Sequence, residues 1–133
     1  MFDFSKVLAA TPNGVLTTCD GDALRSRVFQ FLFAEDKKVF FCTSKEKDVY
    51  KQLTADPKVA FCAYPADFTP VVSISGQAVF VDDLKIKTRA LDENPMIKDI
   101  YKTPDNPVFA IFYIDAKEVK TFSFTEGPKT YTF

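Results

Sequence analysis

Runs of β-branched and aromatic residues recur along this chain, cut by turn signals about every ten residues. Segments 15–19, 23–34, 39–42, 59–64, 71–81, 108–114 and 118–124 all have this character, and 129–133 is a short tail able to pair as an extra strand. Helical signals interrupt the rhythm. A short N-terminal helix closes over 7–10 and is broken by Thr11-Pro12-Asn13-Gly14. Thr43 with Glu46 three residues on has the capping-box spacing, which predicts a helix from there to about Ala55, ended by Asp56-Pro57. Asp82-Asp83 can cap a further helix through Leu91, and a short helical stretch follows Pro95 as far as Tyr101. Six or seven strands with inserted helices predict a mainly β, α+β fold: a closed β-barrel with peripheral helices, one domain over 1–133.

Within that frame the strand 23–34 stands out. Asp20-Gly21-Asp22 is a hairpin turn, because Asp-Gly tolerates the positive φ that tight hairpins need. Alternation then puts Arg25, Arg27, Phe29, Phe31 and Phe33 on one face, cationic at one end and aromatic at the other. Gly76, inside the strand 71–81, marks either a bulge or a close approach by another group.

Composition removes several function classes. The chain has no histidine, which excludes a His-containing catalytic triad, histidine-ligated haem and mixed Cys/His zinc sites; no metal site is expected. Chemistry near neutral pH must then come from a cofactor or from perturbed Lys, Tyr, Asp, Glu or Cys groups. A net charge of −1 is not that of a nucleic-acid binder. Cys19, Cys42 and Cys62 lie in apolar runs without a CxxC pair, where a free thiol acts as a small buried hydrophobe. The fifteen Phe fall mostly in strand-like runs and suit core filling. The longest unbroken apolar run, 108–114, is far too short to span a bilayer, and the first residues lack a basic start followed by an apolar stretch. A cytoplasmic protein, with no membrane or nucleic-acid partner, is expected.

One constellation points to ligand chemistry. Arg25 and Arg27 share a strand face, and a Thr43-Ser44 helix start would add hydroxyls and N–H donors. Such a set suits a phosphate: arginine offers a bidentate fork and a helix N-terminus offers partial positive charge. Lys47 would add a further cation. The same residues also admit a purely structural account, with both arginines solvated and Thr43 serving as a helix cap.

Order and separation of motifs add a resemblance. Arg25-Ser26-Arg27-Val28-Phe29-Gln30-Phe31, Phe40-Phe41-Cys42-Thr43-Ser44, Lys47-Asp48-Val49-Tyr50-Lys51-Gln52-Leu53, Asp56-Pro57-Lys58-Val59 and Ser75-Gly76-Gln77-Ala78-Val79-Phe80 with Asp82-Asp83 follow in turn. Together they resemble the pyridoxamine phosphate oxidase-like, FMN-binding split-barrel family, over nearly the whole chain. The resemblance implies a six-stranded split β-barrel with peripheral helices, a homodimer, and FMN in a groove between subunits. It implies Arg27, Thr43 and Ser44 at the FMN phosphate, with Arg25 and Lys47 as additional cations. Backbone at Val28, Phe29 and Gln30 would run along the isoalloxazine ring. Other family features are missing. The lysine six residues after the threonine falls at Val49, a flavin-reaching glutamine falls at Val71, and no arginine follows Arg89. The chain therefore looks like the small, stress-protein-like branch, and vitamin B6 oxidation is not expected of it.

The function expected on these grounds is an FMN-dependent oxidoreductase acting on a small molecule, which would stack on the open face of the flavin ring. The alternatives are a non-catalytic flavin carrier or sensor, or a reductase using a deazaflavin. A barrel binding single-stranded nucleic acid through aromatics fits the negative charge poorly. The apolar tract 108–113 is a candidate contributor to the dimer interface.

Overall fold

The computed structural model describes residues 2–133. In chain order the elements are α1 (Phe4–Ala10), β1 (Asn13–Asp20), β2 (Ala23–Gln30), β3 (Phe33–Glu35), β4 (Lys38–Ser44), α2 (Asp48–Ala55), β5 (Lys58–Ala63), β6 (Val71–Val81), α3 (Leu84–Glu93), α4 (Pro95–Tyr101), β7 (Phe109–Ser123) and β8 (Gly127–Thr132). All pairings are antiparallel, and the sheet runs β2-β1-β5-β6-β7-β4-β3 with β8 also on β7. This is a split-barrel α+β fold. No helix among the described residues is long and apolar enough to cross a membrane.

The expected closed ring of strands is instead an open path whose two ends, β2 and β3, are neighbours in sequence. The strand read as 23–34 divides at Phe31-Leu32. The Phe31 N–H donates to the Pro12 carbonyl at 2.7 Å, on the β1 side, and the Leu32 N–H to the Phe40 carbonyl at 3.0 Å, on the β4 side. The chain crosses there from one edge to the other. Phe33 accordingly leaves the face of Arg25, Arg27 and Phe29 and packs on Phe40, ring centroids 5.0 Å apart.

Strand alternation explains the phenylalanine content. In β4, Phe41 faces the barrel interior, stacked on Phe112 at 5.5 Å and edge-on to Phe61 at 4.8 Å. Its neighbour Phe40 faces outward into a second cluster with Phe109 and Ile111, covered by Ala90, Leu91 and Tyr101 of α3 and α4. The tract 108–113, suggested above as an interface, is occupied within the chain: Phe109, Ala110, Ile111 and Phe112 are buried in β7 between β4 and β6. The three cysteines are only half-buried. Burial still pushes the Cys42 thiol up to about 12.

The two predicted strands at 108–114 and 118–124 are one 15-residue strand, β7. A bulge carries it through the polar stretch between them: Gly76 pairs with Ala116 and Ser75 with Glu118, leaving Lys117 without a partner on β6. Any Cβ at Gly76 would sit on the Asp115 carbonyl oxygen. At this point β7 exchanges one neighbour for another, β4 along Phe109 to Asp115 and β8 along Glu118 to Ser123.

Helix α2 starts later than the capping box suggests. Thr43 and Ser44 stay in β4, opposite Ala110 and Phe109, and the ladder ends with the Lys45 N–H donating to the Val108 carbonyl at 2.8 Å. The helix begins at Asp48, with Lys47 as its N-cap and no side-chain cap bond. Val49 and Leu53 anchor it in the barrel core.

Candidate functional site

β2 is an edge strand, and α2 lies beside it because Val49 and Leu53 pin the helix to the core. Between them runs an open groove of about 660 Å³. Arg25, Ser26, Arg27, Val28 and Phe29 line it from β2, Asp20 from the hairpin, and Lys47, Asp48, Val49, Lys51 and Gln52 from the helix side. Four cations, Arg25, Arg27, Lys47 and Lys51, thus face two carboxylates, Asp20 and Asp48. Such a surplus in a concave site attracts an anion.

The two arginines differ in setting. Arg25 is exposed, and its Nε donates to Asp20 Oδ2 at 3.0 Å across the hairpin. Gly21, with φ of 62°, makes that tight two-residue turn. Arg27 is half-buried: Nη1 donates to Thr18 Oγ1 at 2.8 Å and Nη2 to Gln52 Oε1 at 2.6 Å. Burial lowers its pKa, with the Asp48 carboxylate opposing, and a guanidinium so placed remains a cation.

At the other end of β2 a second groove of about 510 Å³ is lined by Pro12, Asn13, Val15, Val28 and Tyr64, among others, without a single charged side chain. Val28, 74% exposed, belongs to both grooves and forms the ridge between them. Tyr64 also stacks on exposed Phe68, centroids 5.4 Å apart.

Of the residues singled out from sequence, Arg25, Arg27, Val28, Phe29 and Lys47 line the charged groove. Gln30 is exposed at the end of β2, outside the groove lining. Thr43 and Ser44 also lie outside it. Thr43 points into the barrel with Val39 and Phe41, 3% exposed, and its Oγ1 has no hydrogen-bond partner among the described residues. Ser44 faces the opposite side, its Oγ accepting from the Glu46 N–H at 3.2 Å. Sequence reasoning missed Lys51, Gln52 and Thr18. Lys51 was within reach, being one helical turn beyond Lys47. Gln52 and Thr18 join the site only through the packing of α2 on β1.

The model of the pyridoxamine 5'-phosphate oxidase family matches residues 3–123. No curated protein sequence matches the chain. Among solved structures, a NimC/NimA family protein from Clostridium acetobutylicum is similar with TM-score 0.86 and 25% identity, over 96% of this chain and 88% of that one. General stress protein 26 from Bacillus anthracis gives TM-score 0.83 at 18% identity, over 96% and 94%. A heme binding protein from Mycobacterium smegmatis gives TM-score 0.76 at 16% identity, over 95% of this chain and 55% of that one. With a family match across nearly its whole length and this fold beneath it, the chain belongs to the pyridoxamine 5'-phosphate oxidase family.

Proposed function

We propose that this protein binds FMN and works as a flavin-dependent oxidoreductase, with the flavin phosphate in the groove between β2 and α2. The observation that carries this reading is the surplus of positive charge there, with the half-buried Arg27 at its centre. The donor set fits a phosphate: Arg27 and Arg25 offer N–H forks, and Lys47 and Lys51 add cations from the helix. The uncharged second groove, reached over Val28, suits a flavin ring along the β2 edge and a planar substrate beside it. FMN supplies the redox chemistry when bound; the chain binds it, orients it and sets the charge around it. The heme-binding neighbour suggests a different group, but this chain has no histidine to ligate haem iron, whereas the cationic groove suits a phosphate.

The protein further works as a homodimer through the outer face of β2, β1, β5 and β6. Leu24, Ser26 and Val28, then Val15, Thr17 and Cys19, Ala60 and Cys62, and Val71, Ser73 and Ser75 lie on this face by register and are uncharged, with Lys58 the one cation, at its border on β5. A partner there would border both grooves through Val28.

The absorbance spectrum of the purified protein and titrations with FMN and riboflavin test the cofactor. Charge-assisted hydrogen bonds contribute roughly 1.5–3 kcal/mol each, so FMN should bind orders of magnitude more tightly than riboflavin. Arg27→Ala should cost more FMN affinity than Arg25→Ala, since Arg25 is exposed and already paired with Asp20. Arg27→Lys should recover part of the loss. Equal affinities for FMN and riboflavin would overturn the reading. Bleaching of the bound flavin by NADH or NADPH separates an enzyme from a carrier.

A further inference from the structure

Three side chains from three elements close a hydrogen-bonded ring behind the groove. Arg27 of β2 donates to Thr18 of β1 and to Gln52 of α2, and Thr18 Oγ1 itself donates to Gln52 Oε1 at 2.6 Å. The two acceptor oxygens therefore sit side by side and take the end of the guanidinium, one on Nη1 and one on Nη2. Arg27 Nε makes no hydrogen bond to the described residues, which leaves the side edge of the guanidinium for a ligand. Thr18 is 1% exposed, so this ring is anchored rather than solvated.

The charges around the ring are as telling as the geometry. Arg25 is paired with Asp20, and Arg89 with Glu35 and Glu93. Among the described residues Arg27 alone of the three arginines has no carboxylate within ion-pairing distance; both of its side-chain partners are neutral. A long arginine side chain has considerable rotamer entropy to lose on being fixed. A carboxylate would fix it too, but would cancel the charge an anionic ligand needs.

We propose that Gln52 and Thr18 are positioning residues forming a neutral clamp, which holds Arg27 edge-on to the groove and leaves it without a direct carboxylate partner, so that the ligand's phosphate can take that place. This rests on the phosphate reading above.

Gln52→Glu is the discriminating variant: it keeps the length and the acceptor oxygen but adds one negative charge beside Arg27. FMN affinity should fall at least about tenfold, from Coulomb repulsion and neutralisation at close range. Riboflavin affinity should not change, and the fall should shrink in high salt. Thr18→Val should weaken FMN several-fold and leave riboflavin unaffected. Circular dichroism and thermal melts report whether each variant folds. If Gln52→Glu binds FMN like the wild type while Arg27→Ala does not, Gln52 is only scaffold and the clamp is wrong. An equal loss of FMN and riboflavin would also overturn it, because the defect would not involve the phosphate. If Arg27→Ala binds FMN normally, the phosphate reading itself fails and the clamp falls with it. Should Gln52→Glu not fold, Thr18→Val decides: a loss confined to FMN supports the clamp, and no loss overturns it.

Discussion

Thr43 shows how one side chain's role depends on which element claims it. Its spacing to Glu46 is that of a helix cap, yet β7 pairs with β4 through Ser44 and keeps Thr43 in the strand. Its hydroxyl then faces the barrel interior, 3% exposed and without a partner among the described residues. A buried hydroxyl left unpaired costs about 1–3 kcal/mol. Thr43→Val swaps that hydroxyl for a methyl of similar shape, so the variant should be more stable by about 1 kcal/mol. On the proposal that the arginines and lysines of the groove hold the phosphate, its FMN affinity should match the wild type. Thermal melts and an FMN titration read both, and a clear drop in affinity would mean that this hydroxyl serves the phosphate after all. Arg25 and Arg27 were legible in the sequence because strand alternation is local. Gln52 was not, since a neutral residue on a helix acquires its meaning only where α2 meets β1.

At the scale of elements, the sheet depends on one bulge. β7 keeps β6 beside it throughout and exchanges β4 for β8 at Asp115 to Lys117, where the ladder shifts register and Gly76 of β6 lies against the Asp115 backbone. The atoms a Cβ at Gly76 would meet are backbone, the Asp115 carbonyl foremost, and backbone cannot rotate away. Overpacking typically costs 1–3 kcal/mol, and with no flexible side chain to yield, Gly76→Ala should cost at least about 2 kcal/mol. Chemical denaturation would read this as a lower midpoint at unchanged slope; a variant as stable as the wild type would show that the two strands have room to part. The Asp115 carboxyl is held below the usual carboxylate range by a hydrogen bond from Lys117 and by the nearby Lys37 charge. The small stabilisation this brings is present above the ordinary carboxylate pKa and is lost as pH falls through the lowered folded-state value, so denaturation midpoints should drop slightly under acid. The glycine was legible as a bulge or a close approach, and it is both. The continuity of β7 was not, because Asp115-Ala116-Lys117 interrupts the apolar pattern while the backbone ladder runs on.

For the whole molecule, the outer face of β2, β1, β5 and β6 raises the question of what covers it. Val15 pairs with Val28 on one side and Cys62 on the other, Cys62 with Ser73, and Thr17 with Ser26 and Ala60. These side chains form a neutral field in a chain of which 26% is charged, and Leu24 and Val28 stand 70% and 74% exposed on it. A face whose only charged side chain on these four strands is Lys58, at the start of β5, and which bears exposed apolar side chains, is one that a second copy can cover while desolvating few ions. Thr17 lies mid-face, so Thr17→Lys would bury an ammonium against its own symmetry-related copy or a neutral neighbour. Light scattering should give the wild type twice the 15.0 kDa chain mass, and the variant the mass of one chain. If the flavin ring rests against the partner beyond Val28, the monomeric variant should also bind FMN more weakly, while its thermal melt stays cooperative because the barrel core is untouched. A variant that remains dimeric would move the interface to another face. A wild type that is monomeric while saturated with FMN would end the dimer proposal and leave the two grooves of one chain to hold the flavin alone.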